Sequence, residues 1–294
     1  MARRSGAWGA GRRRALAGAV SLCLALALAG PAGASGSAVI EVYPGPGAIA
    51  KAIQQADPGD TLNIHTGVYP EAITIGKRNL TLRAAGDGPV TVDAGCAGTT
   101  FEVQASGVAL VGLDMIGGAF FAVDFAFVRS GRVADSRIKS TCPEAEYGIN
   151  LYATGPMLIE DNTATGFTDA GIYIGGIVDT GSGTLIARHN DVYKNNNGVI
   201  VQDSAGVALL VSGNWAHDNA EDGIFLQRSD GIEIRGNSAW DNGYAGIELD
   251  PSSDGNLVRF NRARGQTYDL ANDGGVGNCF KHNRYSTSFG TIAC

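Results

Sequence analysis

This 294-residue chain has little proline, 9 residues in all, and few aromatic side chains, 7% of the total. It is also short of base: 22 lysines and arginines stand against 29 aspartates and glutamates, a formal net charge of −7. A surface of that sign disfavours nucleic acid and anionic membranes as partners. The four histidines, His65, His189, His217 and His282, are scattered, and no metal-ligand spacing joins them. After one apolar stretch near the N-terminus, no second candidate for a membrane span follows. What the chain has in plenty is glycine, 43 residues. Without a strict three-residue period these do not make collagen. They fit a chain of many tight turns.

The opening segment "MARRSGAWGAGRRRALAGAVSLCLALALAGPAGASG" has an Arg-rich start, an apolar stretch from Ala15 to Ala29, and the small-residue pattern Ala32-Gly33-Ala34. It reads as a secretory signal peptide over residues 1–34, cleaved after Ala34. Cleavage takes away five of the 22 basic residues and none of the 29 acidic ones, leaving a net charge near −12. The mature chain is expected to be secreted or periplasmic, monomeric, and free of the membrane. Arg12-Arg13 leaves both general and twin-arginine export open.

The remainder is repetitive. "GINLY" at 148, "GIYIG" at 171, "GVIVQ" at 198, "GIFLQ" at 223 and "GIELD" at 246 recur, preceded by "AITIG" at 72, "TFEVQ" at 100 and "AVDFA" at 122. The second residues are Ile73, Phe101, Val123, Ile149, Ile172, Val199, Ile224 and Ile247. The fourth are Ile75, Val103, Phe125, Leu151, Ile174, Val201, Leu226 and Leu249. All sixteen are apolar, which is the period-two signature of a strand with one buried face. A period of 20–30 residues built on short strands means a solenoid, with one copy per coil and a continuous core. A second series, Asn162, Asn190, Asn214, Asn237, Asn261 and Asn283, follows short alternating runs at the same period. Inward Asn side chains at a turn can satisfy backbone groups and bond one another from coil to coil.

Open ends of such a stack need covers. "AIAKAIQQADPGD" at 48–60 has helical spacing of Ile49, Ile53 and Ala56 and stops at Asp-Pro-Gly, so residues 35–60 are expected to supply a first strand and a capping helix. Residues 61–270 would form the solenoid and 271–294 a C-terminal cap. Four cysteines remain after export, an even number that suggests disulfides. Cys279–Cys294 would tie down the tail. Cys96–Cys142 is the other pairing, although the register puts the two about two coils apart, a long reach for a disulfide.

The chain resembles the right-handed parallel β-helix proteins with short repeats. It is similar to the carbohydrate-binding and sugar-hydrolase β-helix domain and to the periplasmic copper-binding family of nitrous oxide reductase maturation, within the pectate-lyase-like superfamily. The stretch "IQQADPGDTLNIHTGVYPEAITIGKRNLTLRAAG" also resembles the first coil of pectin methylesterases and pectate lyases. The resemblance covers nearly all of residues 38–294. It implies an all-β fold, a right-handed single-stranded parallel β-helix of the pectin-lyase-like kind. "VDFAF" at 123–127 and "RIK" at 137–139 look like motifs of pectin methylesterases and polygalacturonases, but the companion motifs of those families are absent. A copper role implied by the maturation family has no ligand spacing here to support it.

Chemistry is therefore sought on the outward face of the repeat strand. Its third positions are Thr74, Glu102, Asp124, Asn150, Tyr173, Ile200, Phe225 and Glu248, and its fifth include Gln104, Tyr152, Gln202, Gln227 and Asp250. Aromatic faces flanked by amides suit a sugar chain, so Tyr152, Tyr173, Phe225, Gln202 and Gln227 are candidate substrate-binding residues. Trp240 joins them from a further outward column, Thr165, Tyr193, His217, Trp240 and Arg264, expected on a turn edge. Glu102 and Asp124 fall on adjacent coils. They could form an acid/base pair for glycosidic cleavage, bind Ca²⁺, or stand as two solvated acids. Asp222, Glu248 and Asp250, with Arg228 and His217 expected nearby, are the other candidate catalytic group. The reading is a secreted β-helix that binds polysaccharide or cell-surface glycan along an exposed strand face. The alternative is a lyase, epimerase or hydrolase on an acidic glycan. Ca²⁺ is the cofactor these acids could take, and no cofactor is required by the sequence.

Overall fold

The computed structural model describes residues 37–179 and 181–294. The signal-peptide reading, residues 1–34, lies outside them. Short strands wind into a right-handed parallel solenoid of about 11 turns, matching the pectate-lyase-like β-helix. Among the described residues three parallel sheets run along it, with 11, 9 and 10 strands. The first sheet begins at Val39–Val42, the second at Gly67–Tyr69 and the third at Ile73–Ile75. From Thr61 to Asn272 each coil contributes one strand to each sheet in turn.

The repeat strands form the third sheet in the register that their alternation implies. Ile149 pairs with Ile172, Ile172 with Val199, Val199 with Ile224 and Ile224 with Ile247. All sixteen apolar positions are at most 1% exposed. Burial of each such side chain contributes about 1.5–3 kcal/mol, so the stacked columns hold the coils together. The ladder continues past the eight recognised copies through Tyr268–Asn272 and Ser288–Gly290.

Corners are sharp because single residues take the left-handed conformation. After the third-sheet strands these are Phe127, Ala153, Gly176, Asp203 and Arg228, with φ between 49° and 65°. Inside the corner between the first and second sheets runs the Asn ladder. Asn162 donates to Asn190 at 3.0 Å, and the chain of bonds passes through Asn214, Asn237 and Asn261 to Asn283. Each of Asn162, Asn190, Asn214, Asn237 and Asn261 also donates to a backbone carbonyl of a preceding coil. A second ladder, Asn195–Asn219–Asn242, lines the next corner.

The capping helix is Ala48–Gln55, shorter than the 48–60 stretch, and it buries Ile49, Ala52 and Ile53. Glu71 accepts the N–H groups of Ile49 and Ala50, so a carboxylate sits on the positive end of the helix. Both disulfides form. Cys96 and Cys142 do follow second-sheet strands two coils apart, yet their Cα atoms are 5.7 Å from each other. The intervening corner is Gly117-Gly118, with no side chain to hold the two apart, and Cys96 N–H donates to Gly117 O at 2.7 Å.

Candidate functional site

The outward residues of the third sheet align in one column. Thr74, Glu102, Asp124, Asn150, Tyr173, Ile200, Phe225 and Glu248 are successive lateral neighbours. They are not uniformly open to solvent, as the alternation alone implies. Asn150, Ile200 and Glu248 are buried, and Tyr173 and Phe225 are half-buried. Side chains entering the strand from the preceding corner lean over the column: Phe121 stacks on Tyr147, and Tyr147 stacks on Tyr173 at 4.5 Å.

What remains accessible is a row of rings and amides. Tyr173 Oη donates to Gln202 at 2.8 Å. Its ring lies over Gly175, where a Cβ would stand 2.4 Å from it. Tyr152 is exposed beside Gly176, and Phe127 meets it edge-on at 5.6 Å. Gln202 and Gln227 are lateral neighbours. Beyond Tyr152 a recess of about 550 Å³ opens, with Phe127, Arg129, Thr154 and Pro156 in its wall. Phe127 is a further candidate contact. It lies in a corner outside the repeat motif, so only its place next to Tyr152 reveals it.

Glu102 and Asp124 are neighbours, but each has its own partner. Gln104 donates to Glu102 at 2.7 Å, and Asn150 donates to Asp124 at 2.7 Å. Burial raises the Asp124 carboxyl, the Asn150 bond opposes this, and the Glu102 charge adds to it. Among the described residues no group of three or more His, Cys, Asp and Glu side chains is placed to hold a metal ion.

Asp222 and Glu248 do come together, both buried and close enough for each to shift the other's titration. Burial, then the Asp222 charge, push Glu248 up to about 9. Burial raises Asp222 to about 6, with Glu221 and Asp273 adding to it. The pair therefore holds a proton at neutral pH. Asp222 also accepts the Ala245 N–H at 2.9 Å. Asp250 is turned away into its own loop, where it accepts from Ser252 and Ser253. Arg228 meets the predicted group through its backbone alone, its N–H donating to Asp250 at 3.1 Å. Its guanidinium makes two bonds to Asp203, at 2.6 and 2.9 Å, and that pairing holds the Asp203 carboxyl low. Arg228 sits in a left-handed corner, and its side chain reaches back to Asp203 on the preceding coil. His217 is also elsewhere, on the second sheet.

The column Thr165, Tyr193, His217, Trp240 and Arg264 is a set of second-sheet strand positions and not a turn edge. Tyr193, His217 and Trp240 stack face to face, at 5.1 and 4.3 Å. Trp240 is therefore on a different sheet from the Tyr152–Phe225 row. Trp215 stands in the adjacent second-sheet column.

The family described as "Periplasmic copper-binding protein (NosD)" matches residues 174–290. No curated protein matches the chain in sequence. Among solved structures, pectate lyase Pel9A is similar with a TM-score of 0.59 and 12% identity, over 88% of this chain and 80% of that one. The A-module of the Azotobacter vinelandii mannuronan C-5 epimerase AlgE6 is similar with a TM-score of 0.51 and 14% identity, over 88% of each chain. At such identities the likeness is one of fold.

The residues in the matched region do not fit a copper centre. His217 has both ring nitrogens engaged, by Asp191 at 3.0 Å and Asp218 at 2.7 Å. His282 stacks on Phe260, and Cys279 is in a disulfide. Copper favours several converging imidazoles or sulfurs, and none converge among the described residues. Two disulfides accord with an extracytoplasmic compartment. Among the described residues no helix is long and apolar enough to cross a membrane.

Proposed function

We propose that this β-helix is an exported polysaccharide-binding protein whose groove is the outward face of the third sheet. The observation that carries the reading is the row Tyr152, Tyr173, Gln202, Gln227 and Phe225 on one face, with Tyr173 fixed by Gln202. Rings held by the fold lose little freedom when a sugar packs on them, and the neighbouring amides can both donate to and accept from hydroxyls. Glu102, Asp124, Asp203 and Asp250 flank the row, which favours a neutral glycan over a polyanion here. Solenoids with this fold include enzymes named for pectate and mannuronan, which accords with a glycan partner.

The test is affinity electrophoresis of the full chain in gels carrying a panel of neutral polysaccharides. Retardation by at least one of them, weakened by Tyr173→Ala and Phe225→Ala, is the expected result. Mobility unchanged by every polymer, or by both substitutions, refutes the groove.

A second reading is a lyase, epimerase or hydrolase, favoured by one observation: Glu248 is a carboxylic acid kept neutral beside Asp222. Such a group can donate a proton in glycosidic cleavage. New reducing ends or unsaturated products that disappear in Glu248→Gln would establish it.

A further inference from the structure

A different face of the molecule carries the residues for an acidic sugar chain. On the second sheet, Trp215, Ser238 and Arg262 are successive lateral neighbours, and His217, Trp240 and Arg264 form the adjacent column. Because Ser238 is small, the side chains around it are not filled in. Trp215, Trp240, Arg262 and Arg264 wall a recess of about 210 Å³ over a floor of Ser238 and Ala239. One face of Trp240 is covered by His217 at 4.3 Å, and Arg264 is its lateral neighbour on the other side. A second recess of about 270 Å³ adjoins it, sharing Arg262 and Arg264 and adding Arg284 and Tyr285.

The three arginines of this face lie close together, on neighbouring coils. Acids outnumber bases, and among the described residues five other arginines have a carboxylate partner: Arg132, Arg137, Arg188, Arg228 and Arg259. Arg262, Arg264 and Arg284 are exposed, and among the described residues none has a carboxylate oxygen within 4.0 Å. Arg262 and Arg284 are moreover direct lateral neighbours. Like charges placed opposite each other across strands destabilise the sheet. A bound anion would relieve that repulsion.

We infer that this face binds a uronate-containing polysaccharide, with Trp215 and Trp240 packing on sugar rings and Arg262, Arg264 and Arg284 holding carboxylates. A guanidinium matches a planar carboxylate with two parallel bonds. Both recesses are smaller than the ~300–1,000 Å³ typical of small-molecule pockets, so each takes one unit of a longer chain. Two recesses with a common arginine wall suit a polymer whose charge repeats from unit to unit. A net-acidic protein that offers three arginines on this face is a poor match for nucleic acid, which draws on many phosphate contacts. The inference rests on other residues than the third-sheet groove and stands or falls separately from it.

The test uses the full chain with fully de-esterified polygalacturonate and its fully methyl-esterified form, at low salt. The parent is expected to bind the charged polymer and not the ester, with affinity falling as salt rises. Arg262→Gln with Arg264→Gln should weaken binding at least fivefold, and Trp240→Ala likewise, while Arg78→Gln, at an exposed arginine outside both faces, leaves it unchanged. Circular dichroism and melting of the variants would show them folded, since all the substituted arginines are exposed. The inference is overturned if the double arginine variant loses less than fivefold, or if the parent binds neither polymer. It is equally overturned if duplex DNA, dextran sulfate or phosphatidylserine vesicles bind more tightly than polygalacturonate.

Discussion

Tyr173 donates its phenolic hydrogen to Gln202, one coil further on, across 2.8 Å, and its ring lies on Gly175. The glycine makes room for the ring, and the amide fixes its angle. A sugar meeting this face thus finds an aromatic surface already in place. The same relation shows how a solenoid builds a site: lateral neighbours are far apart in sequence and adjacent in space.

Gly175→Ala tests that relation without touching the ring itself. The new methyl would stand 2.4 Å from the Tyr173 ring, so the ring must swing off and release Gln202. The obstacle is the far end of a mobile side chain, so the stability loss should stay near ~1 kcal/mol. Glycan retention should fall as far as in Tyr173→Ala. Paired thermal melts and affinity gels measure the two effects.

Asn214 is fully buried and links both neighbours in its ladder. Its Oδ1 accepts from the Asn190 backbone and side chain, and its Nδ2 donates to Ala187 O and Asn237. Asn214→Ala strands several buried groups at about 1–3 kcal/mol each. A loss of about 3 kcal/mol or more in urea unfolding is expected. Asn283 is only partly buried at the end of the ladder, so Asn283→Ala should cost clearly less.

The Asp222–Glu248 pair sets a pH dependence. The groups around it are Glu221, Tyr244, Asp250 and Asp273, and none is a cation. Both folded values, about 6 and about 9, lie above the ordinary 3.8 and 4.5. The folded state therefore holds more protons, and its stability falls as pH rises. This contribution is complete below about pH 4 and is lost progressively up to about pH 9. Melting temperature should drop between pH 5 and pH 9 in the parent. Glu248→Gln, which keeps a neutral hydrogen-bonding group, should flatten the slope and melt higher than the parent at pH 9.

Removing either disulfide should destabilise the chain, the longer loop more. The Cys96–Cys142 bridge spans 46 residues and the Cys279–Cys294 bridge spans 15. Loop-closure entropy gives about 4 and about 3 kcal/mol respectively. Double Cys→Ser variants compared in guanidinium unfolding would measure both, and an equal or reversed order would contradict the entropic account.

Sequence alone determined the coil. Alternation of apolar residues in "GINLY" or "GIFLQ" is local information, and repeating it every coil leaves one way to bury it, so the stacking register of Ile149 to Ile247 and the Asn162–Asn283 ladder were legible before any coordinates. Only the tertiary structure decided what the outward side chains do. Whether Glu248 is buried, whether Arg228 meets Asp203 or an acid of the other group, and whether Trp240 shares a sheet with Tyr173 depend on the path of each corner. Corners vary in length and turn on single left-handed residues, which the strand period does not encode. That no carboxylate among the described residues pairs with Arg262, Arg264 or Arg284 is a property of the same kind, because it depends on how all the coils around them pack.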